Sequence, residues 1–362
     1  MRLRDDYAAA PELTDGEASN PGPPSRRVEE NRAARAAVRA ASAPEGIRHR
    51  PAAETTRQSR AHGLRLFLEF LRTRGRRWPA RDPEVAARWL AEFGDHWFRM
   101  GGTIGEYRSA VAAIAEERRA WRPWLTEAWD TATNWELREP TQARVPLPEP
   151  GYRAGVAATL LWGWTGLMWY LLLGWHAALR PGEALRLRRR DLTLPSDLLS
   201  RRPVAFLRLP GTKTAGLSRW IASVQHARIE SAEVVALMEA ELGELPPRAR
   251  LVDLTRAQLA EQWRLLFARL GFPVGRRERG LVPSSLRAGG ATELYVATQS
   301  FEAARVLLRH AVRSRATERY VQEAVAALAH ARLAPERREL VFTLGSVAGP
   351  LIRARTRAQA TH

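Results

Sequence analysis

The sequence predicts a mainly α-helical chain with one small β-hairpin, an α+β fold in two domains. Three observations lead there. Apolar residues recur at three- and four-residue spacing through most of the chain. Strand-like runs are confined to residues 204–224. A proline-rich break at 141–151 separates two helical regions.

Residues 1–52 are rich in Ala, Pro, Arg and Glu with little periodicity, which predicts a disordered tail. Its first residues are polar and acid-bearing, so no secretory signal is expected. The region 53–140 reads as a bundle of about four helices. Leu64, Phe67, Leu68 and Leu71 share one helical face. A second helix is expected over Pro83–Phe93 and a third over Thr103–Arg119, with Ile104, Tyr107, Val111 and Ile114 inward. A fourth is expected over Trp124–Leu137. Pro146, Pro148 and Pro150 mark the linker, 141–151.

The second domain, 152–335, opens on the apolar run Gly155–Leu179, uncharged apart from a protonatable His176. A bilayer needs roughly 20 apolar residues, so length alone permits a crossing. Its four Trp residues are scattered rather than terminal, and Gly163, Gly166 and Gly174 interrupt it. A buried core helix is therefore expected, and no membrane. A short helix should follow at Pro181–Arg188, with Pro in its first turn. Val204–Leu209 reads as a strand, Gly211–Gly216 as a hairpin turn and Arg219–Val224 as the returning strand. Thr255 can cap a helix whose Leu259, Trp263, Leu266, Phe267 and Leu270 share a face, with Gly271 ending it. Further helices fit Ser285–Ala297, Phe301–Arg309 and Arg315–Arg332. Gly289-Gly290 inside a helix implies either close backbone packing or a misplaced helix start. Residues 336–362 read as a C-terminal tail.

The net charge is +18, which favours a polyanionic partner. There is no cysteine, hence no disulfide, thiolate nucleophile or Cys-based zinc site. The eight histidines form no H-x-x-x-H pair, so no metal is expected. Among 57 basic side chains only Lys213 is a lysine. GC-rich coding bias explains the arginines. A surviving lysine suits a position that must release a proton, which arginine does not do.

Three strings carry the candidate chemistry. The first is Ala178-Leu179-Arg180-Pro181-Gly182-Glu183-Ala184-Leu185-Arg186-Leu187, followed by Arg190-Asp191-Leu192. The second is the Lys213 turn. The third runs from Ser284-Ser285-Leu286-Arg287-Ala288-Gly289-Gly290-Ala291-Thr292 through Leu308-Arg309-His310 to Glu318-Arg319-Tyr320. In order and content they resemble the tyrosine recombinase, or phage integrase, family. The Ser-Leu-Arg string is most similar to eukaryotic mobile-element members. The helical region 53–140 resembles the family's SAM-like core-binding domain, and 152–335 its catalytic domain.

The resemblance implies the following roles. Tyr320 attacks a DNA phosphodiester to give a 3′-phosphotyrosyl link, so neither cofactor nor metal is needed. Arg180 and Arg287 hold the non-bridging oxygens. Lys213 protonates the departing 5′ oxygen. His310 bonds the phosphate or helps to position the nucleophile, and Glu183 supports the site. The partner implied is double-stranded DNA, handled by a homotetramer on two duplexes. Localisation would be nuclear in a eukaryote, otherwise cytoplasmic or nucleoid. Between Arg180 and Arg219 the net charge is +7 in 40 residues, and Arg186, Arg188, Arg189 and Arg190 are candidate phosphate contacts.

Two departures stand out. The family's usual His or Lys three residues before the second Arg is Ser284, and His310 precedes Tyr320 by ten residues rather than nine. The same residues therefore also fit a domesticated, catalytically impaired DNA-binding protein with this fold. Plainer readings exist singly: Arg180 tying a loop, His310 bonding helix-end carbonyls, Tyr320 packing in a core.

Overall fold

The computed structural model describes residues 33, 54–140, 145–210, 224–275, 280–310, 317–318 and 320–360. The expected tail at 1–52 thus lies, except for residue 33, outside the described residues. The chain divides into two compact units, Met1–Thr141 and Gln142–His362.

The regular elements described in the first unit are all helical: α1 (Glu54–Thr73), α2 (Pro83–Arg99), α3 (Ile104–Glu117), a 3-10 segment (Arg119–Trp124) and α4 (Thr126–Arg138). Local chemistry sets the starts. Asp82 caps α2 by accepting from the Val85 N–H at 2.8 Å, with Pro83 in the first turn where no N–H bond is lost. Thr103 and Glu106 form a reciprocal capping box on α3. α2 runs past the expected Phe93, because His96 and Trp97 continue its amphipathic pattern. The core is aromatic: Phe67, Phe93, Tyr107 and Trp135 are buried, and Phe93 meets Phe67 edge-on at 5.6 Å. The buried Tyr107 hydroxyl donates to the Ala128 carbonyl at 2.8 Å.

The second unit contains α5 (Glu149–Leu161), α6 (Thr165–His176), α7 (Pro181–Ala184), β1 (Leu192–Thr193), β2 (Ala205–Pro210), β3 (Val224–Ile229), α8 (Ala232–Leu242), α9 (Arg256–Arg269), α10 (Ser285–Thr298), α11 (Phe301–Leu307), α12 (Glu323–Ala331) and α13 (Pro335–Ala360). The unit is mostly helical, with a three-stranded antiparallel sheet in the order β1-β2-β3. Ala205, Leu207 and Leu209 alternate into the core while Phe206 faces out.

Several expectations need correcting. The linker does not extend to 151, because α5 starts at Glu149 and tolerates Pro150 in its first turn. The apolar run is two helices, not one. They break at Trp162–Trp164, where Gly163 takes φ 68°. Both pack into the core, and no described helix is long and apolar enough to cross a membrane. The helix from Pro181 ends at Ala184, since Leu187 and Arg189 bond instead to the 249–251 segment. The returning strand is Val224–Ile229, paired with β2 so that Ala205 faces Ile229 and Pro210 faces Val224. Its mixed sequence VQHARI hides the alternation that buries Ala227 and Ile229. The turn at 211–216 and residues 219–223 lie outside the described residues. Tyr320 is not inside a helix over 315–332: it sits in a turn, its N–H bonded to the Thr317 carbonyl at 2.9 Å, before α12 starts at Glu323.

The largest correction is the C-terminus. Residues 335–360 are a helix of the unit, not a tail. Val341, Ala348 and Ile352, seven and four residues apart, form a buried stripe against α5 and α8. Arg353 and Arg355 pair with Glu233 and Glu241 of α8. Gly345, Gly349 and Pro350 make this stripe read as a tail in sequence, yet Gly345 offers its carbonyl to Arg153 Nε at 3.0 Å.

Candidate active site

Arg180 is the N-cap residue of α7, with Pro181 in the first turn. Glu183 closes on it twice: Oε2 accepts the Arg180 N–H at 2.9 Å and Oε1 accepts Nη1 at 2.6 Å. The Glu183 side chain is 3% exposed and that of Arg180 is 26% exposed, so Arg180 is the member that solvent reaches. Burial pushes the Glu183 carboxyl up, but the Arg180 N–H and the charges of Arg309 and Arg180 outweigh it. The carboxylate is held below its ordinary range.

Arg287 projects from the first turn of α10 and is 1% exposed. Nη1 donates to the Ala178 carbonyl and Nη2 to the Leu308 carbonyl, which ties together chain segments on either side of the pocket. Its Nε is buried and has no partner among the described residues. Burial first, then the neighbouring charges of Arg180 and Arg309, lowers its pKa from the guanidinium range. It stays cationic at neutral pH. The two glycines after it explain how α10 comes so close. A Cβ on Gly289 would lie 2.2 Å from the Leu147 carbonyl oxygen, and one on Gly290 2.4 Å from that of Trp175. Of the two explanations for the pair, close backbone packing is the observed one.

His310 Nε2 lies 3.4 Å from Arg287 Nη2, and Nδ1 lies 3.1 Å from the Thr317 hydroxyl. A guanidinium only donates, so Nε2 accepts and the ring proton sits on Nδ1, directed at Thr317. Burial, then Arg287, Arg180, Arg309 and Arg305, pushes His310 down to about 4. The ring is neutral at pH 7. Tyr320 completes the group: its ring centroid is 5.3 Å from that of His310 and 5.4 Å from the Arg287 guanidinium carbon. Thr292 anchors its backbone by donating to the Tyr320 carbonyl at 3.0 Å.

Arg180, Glu183, Arg287, His310 and Tyr320 are therefore brought together. Ser284 stands one residue before α10 and makes no cap hydrogen bond. Lys213 lies outside the described residues, between the paired strands β2 and β3. The four outer arginines separate. Arg189 is structural: its side chain is 13% exposed and bonds the Gly243 and Leu192 carbonyls and Asp197. Arg188 donates to the Arg248 carbonyl. Arg186 and Arg190 are exposed and line a recess of about 280 Å³ with Arg188 and Arg250.

Two members carry no role in the motif reading. Arg309 pairs with Glu183 at 3.0 Å, and Thr317, 5% exposed, orients His310. Arg309 had a signal, since it sits inside the Leu-Arg-His string. Thr317 had none.

The pocket holds three guanidiniums, from Arg180, Arg287 and Arg309, around one carboxylate. An uncompensated buried positive charge of this kind favours an anion. Among the described residues no cluster of His, Asp and Glu could hold a metal.

No family model matches the chain, and no curated protein matches it. Among solved structures it is similar to the crystal structure of XerA recombinase, with TM-score 0.36 and 14% identity, over 81% of this chain and 92% of that one. At that level of likeness the residues themselves must carry any functional reading.

Proposed function

We propose that this protein is a tyrosine-type DNA strand-exchange enzyme. It cuts and rejoins duplex DNA through a 3′-phosphotyrosyl intermediate. The observation that carries this reading is the meeting of Arg180, Arg287, His310 and Tyr320 in one pocket, from segments up to 140 residues apart, with Glu183 as the pocket's carboxylate. The Tyr320 hydroxyl attacks phosphorus, its proton passes to water, and the bond from phosphorus to the 5′ oxygen breaks. Lys213 gives that oxygen a proton. The phosphodiester energy stays in the tyrosyl ester, so rejoining is the same step reversed. Arg180 is the guanidinium that solvent reaches, and it meets the phosphate. Arg287 acts from behind as a fixed charge in a water-poor site, where charge is most effective.

Incubation with a nicked suicide duplex should give a covalent protein–DNA adduct, and Tyr320→Phe should give none. An adduct on the Phe variant would remove Tyr320 as nucleophile.

A second reading is a DNA-binding protein that does not cleave. Two observations favour it: Ser284 cannot act as a base near neutral pH, and Arg287 is committed to two carbonyls. It predicts salt-dependent binding of duplex DNA, with no adduct from the unaltered chain.

A further inference from the structure

Arg309 adopts φ 54°, the left-handed region that a side chain makes unfavourable. Glycine would take that conformation freely, so the strain is accepted for what the side chain does. The side chain is 7% exposed. Nη1 donates to the Ala177 carbonyl at 2.7 Å, while Nη2 donates to the Ala178 carbonyl at 3.2 Å and to Glu183 Oε2 at 3.0 Å. Ala178 is itself left-handed, with φ 42°. One guanidinium thus staples the turn before Arg180 to the carboxylate that orients Arg180. Both Nη groups are spent on protein acceptors, Nε is buried, and the side chain is 7% exposed, so Arg309 is not placed to touch a substrate.

We propose that Arg309 is a positioning residue: it locks Glu183 against the 177–178 turn and so sets the angle at which Arg180 meets the phosphate. This rests on the strand-exchange reading. The fork matters as much as the charge, because one ammonium cannot span two carbonyls and a carboxylate as a guanidinium does.

The test compares Arg309→Gly and Arg309→Lys with the unaltered chain. Glycine relieves the backbone strain, and lysine keeps the charge without the fork. The single-turnover rate of adduct formation is measured at saturating DNA, beside the Kd. Misplacement of a reacting group by about 1 Å can lower a rate roughly 100-fold. Arg309→Gly should lose about 10- to 100-fold in rate with Kd within about 3-fold. Arg309→Lys should recover part of that rate. A second readout is independent of cleavage: the titration of His310 by NMR. That ring faces Arg287, Arg180 and Arg309 across the pocket and Arg305 of α11, with Thr317 and Tyr320 beside it. Its midpoint should rise from about 4 in Arg309→Gly and stay low in Arg309→Lys. An unchanged rate in Arg309→Gly, or a Kd that weakens as much as the rate falls, overturns the assignment. If the unaltered chain gives no adduct, the strand-exchange reading fails by itself. The titration then decides the clamp, and an unmoved His310 overturns it.

Discussion

His176 and His310 both titrate near pH 4, but their surroundings differ. His176 ends α6, where its Nε2 meets the Tyr152 hydroxyl at 3.1 Å and burial lowers it. His310 is lowered by burial and by four arginines as well. The first region depresses its histidine through desolvation. The second carries positive charge that its own residues do not neutralise. Depressed histidines are thus ambiguous singly, and the charges around them separate a core residue from a candidate site.

That contrast can be broken by substitutions, of which Lys213→Arg should act most strongly. Arginine keeps the charge but cannot release a proton, and general-acid assistance is worth roughly 100- to 10,000-fold. Adduct formation should fall by that order. A duplex with sulfur in place of the bridging 5′ oxygen should restore it, because a thiolate leaves without protonation. Failure of the sulfur substrate to rescue would remove Lys213 as the proton donor.

Next in size is Arg287→Lys, which leaves one ammonium for two carbonyls and the His310 ring. Loss of one preorganised donor costs about 100- to 1,000-fold in rate, and single-turnover cleavage should fall accordingly. If cleavage persisted while only the melting temperature dropped, Arg287 would be a structural tie.

The smallest effect falls on His176. His176 is neutral in the fold at about 4 but titrates near 6.5 when unfolded. Between those values the unfolded chain binds more protons, so stability rises with pH through that window. Acidification from pH 7 to 4 should remove up to about 3 kcal/mol through this one group. His176→Gln should flatten that part of the urea-melt pH profile and leave DNA affinity unchanged. Weakened DNA binding in that variant would dissolve the contrast between the two histidines.

What was legible in the sequence follows from physics. The cap at Thr255 was readable because the acceptor and its helix lie within four residues. The grouping of Arg180, Glu183, Arg287, His310 and Tyr320 was legible because their types and order are distinctive; their roles stay proposals. Arg189 and Arg309 were not readable as structural. Their partners are mainly main-chain carbonyls, which every residue carries and no sequence displays. The C-terminal helix was missed because its buried stripe is thin and carries glycines and a proline. Only the neighbouring faces of α5 and α8 make it worth burying.

The most direct measurement is peptide mapping of the protein after reaction with a nicked suicide duplex. The prediction is one peptide carrying the 3′-phosphate-linked oligonucleotide on Tyr320, absent from Tyr320→Phe. Attachment at another residue, or no attachment under conditions where the duplex is bound, would contradict it.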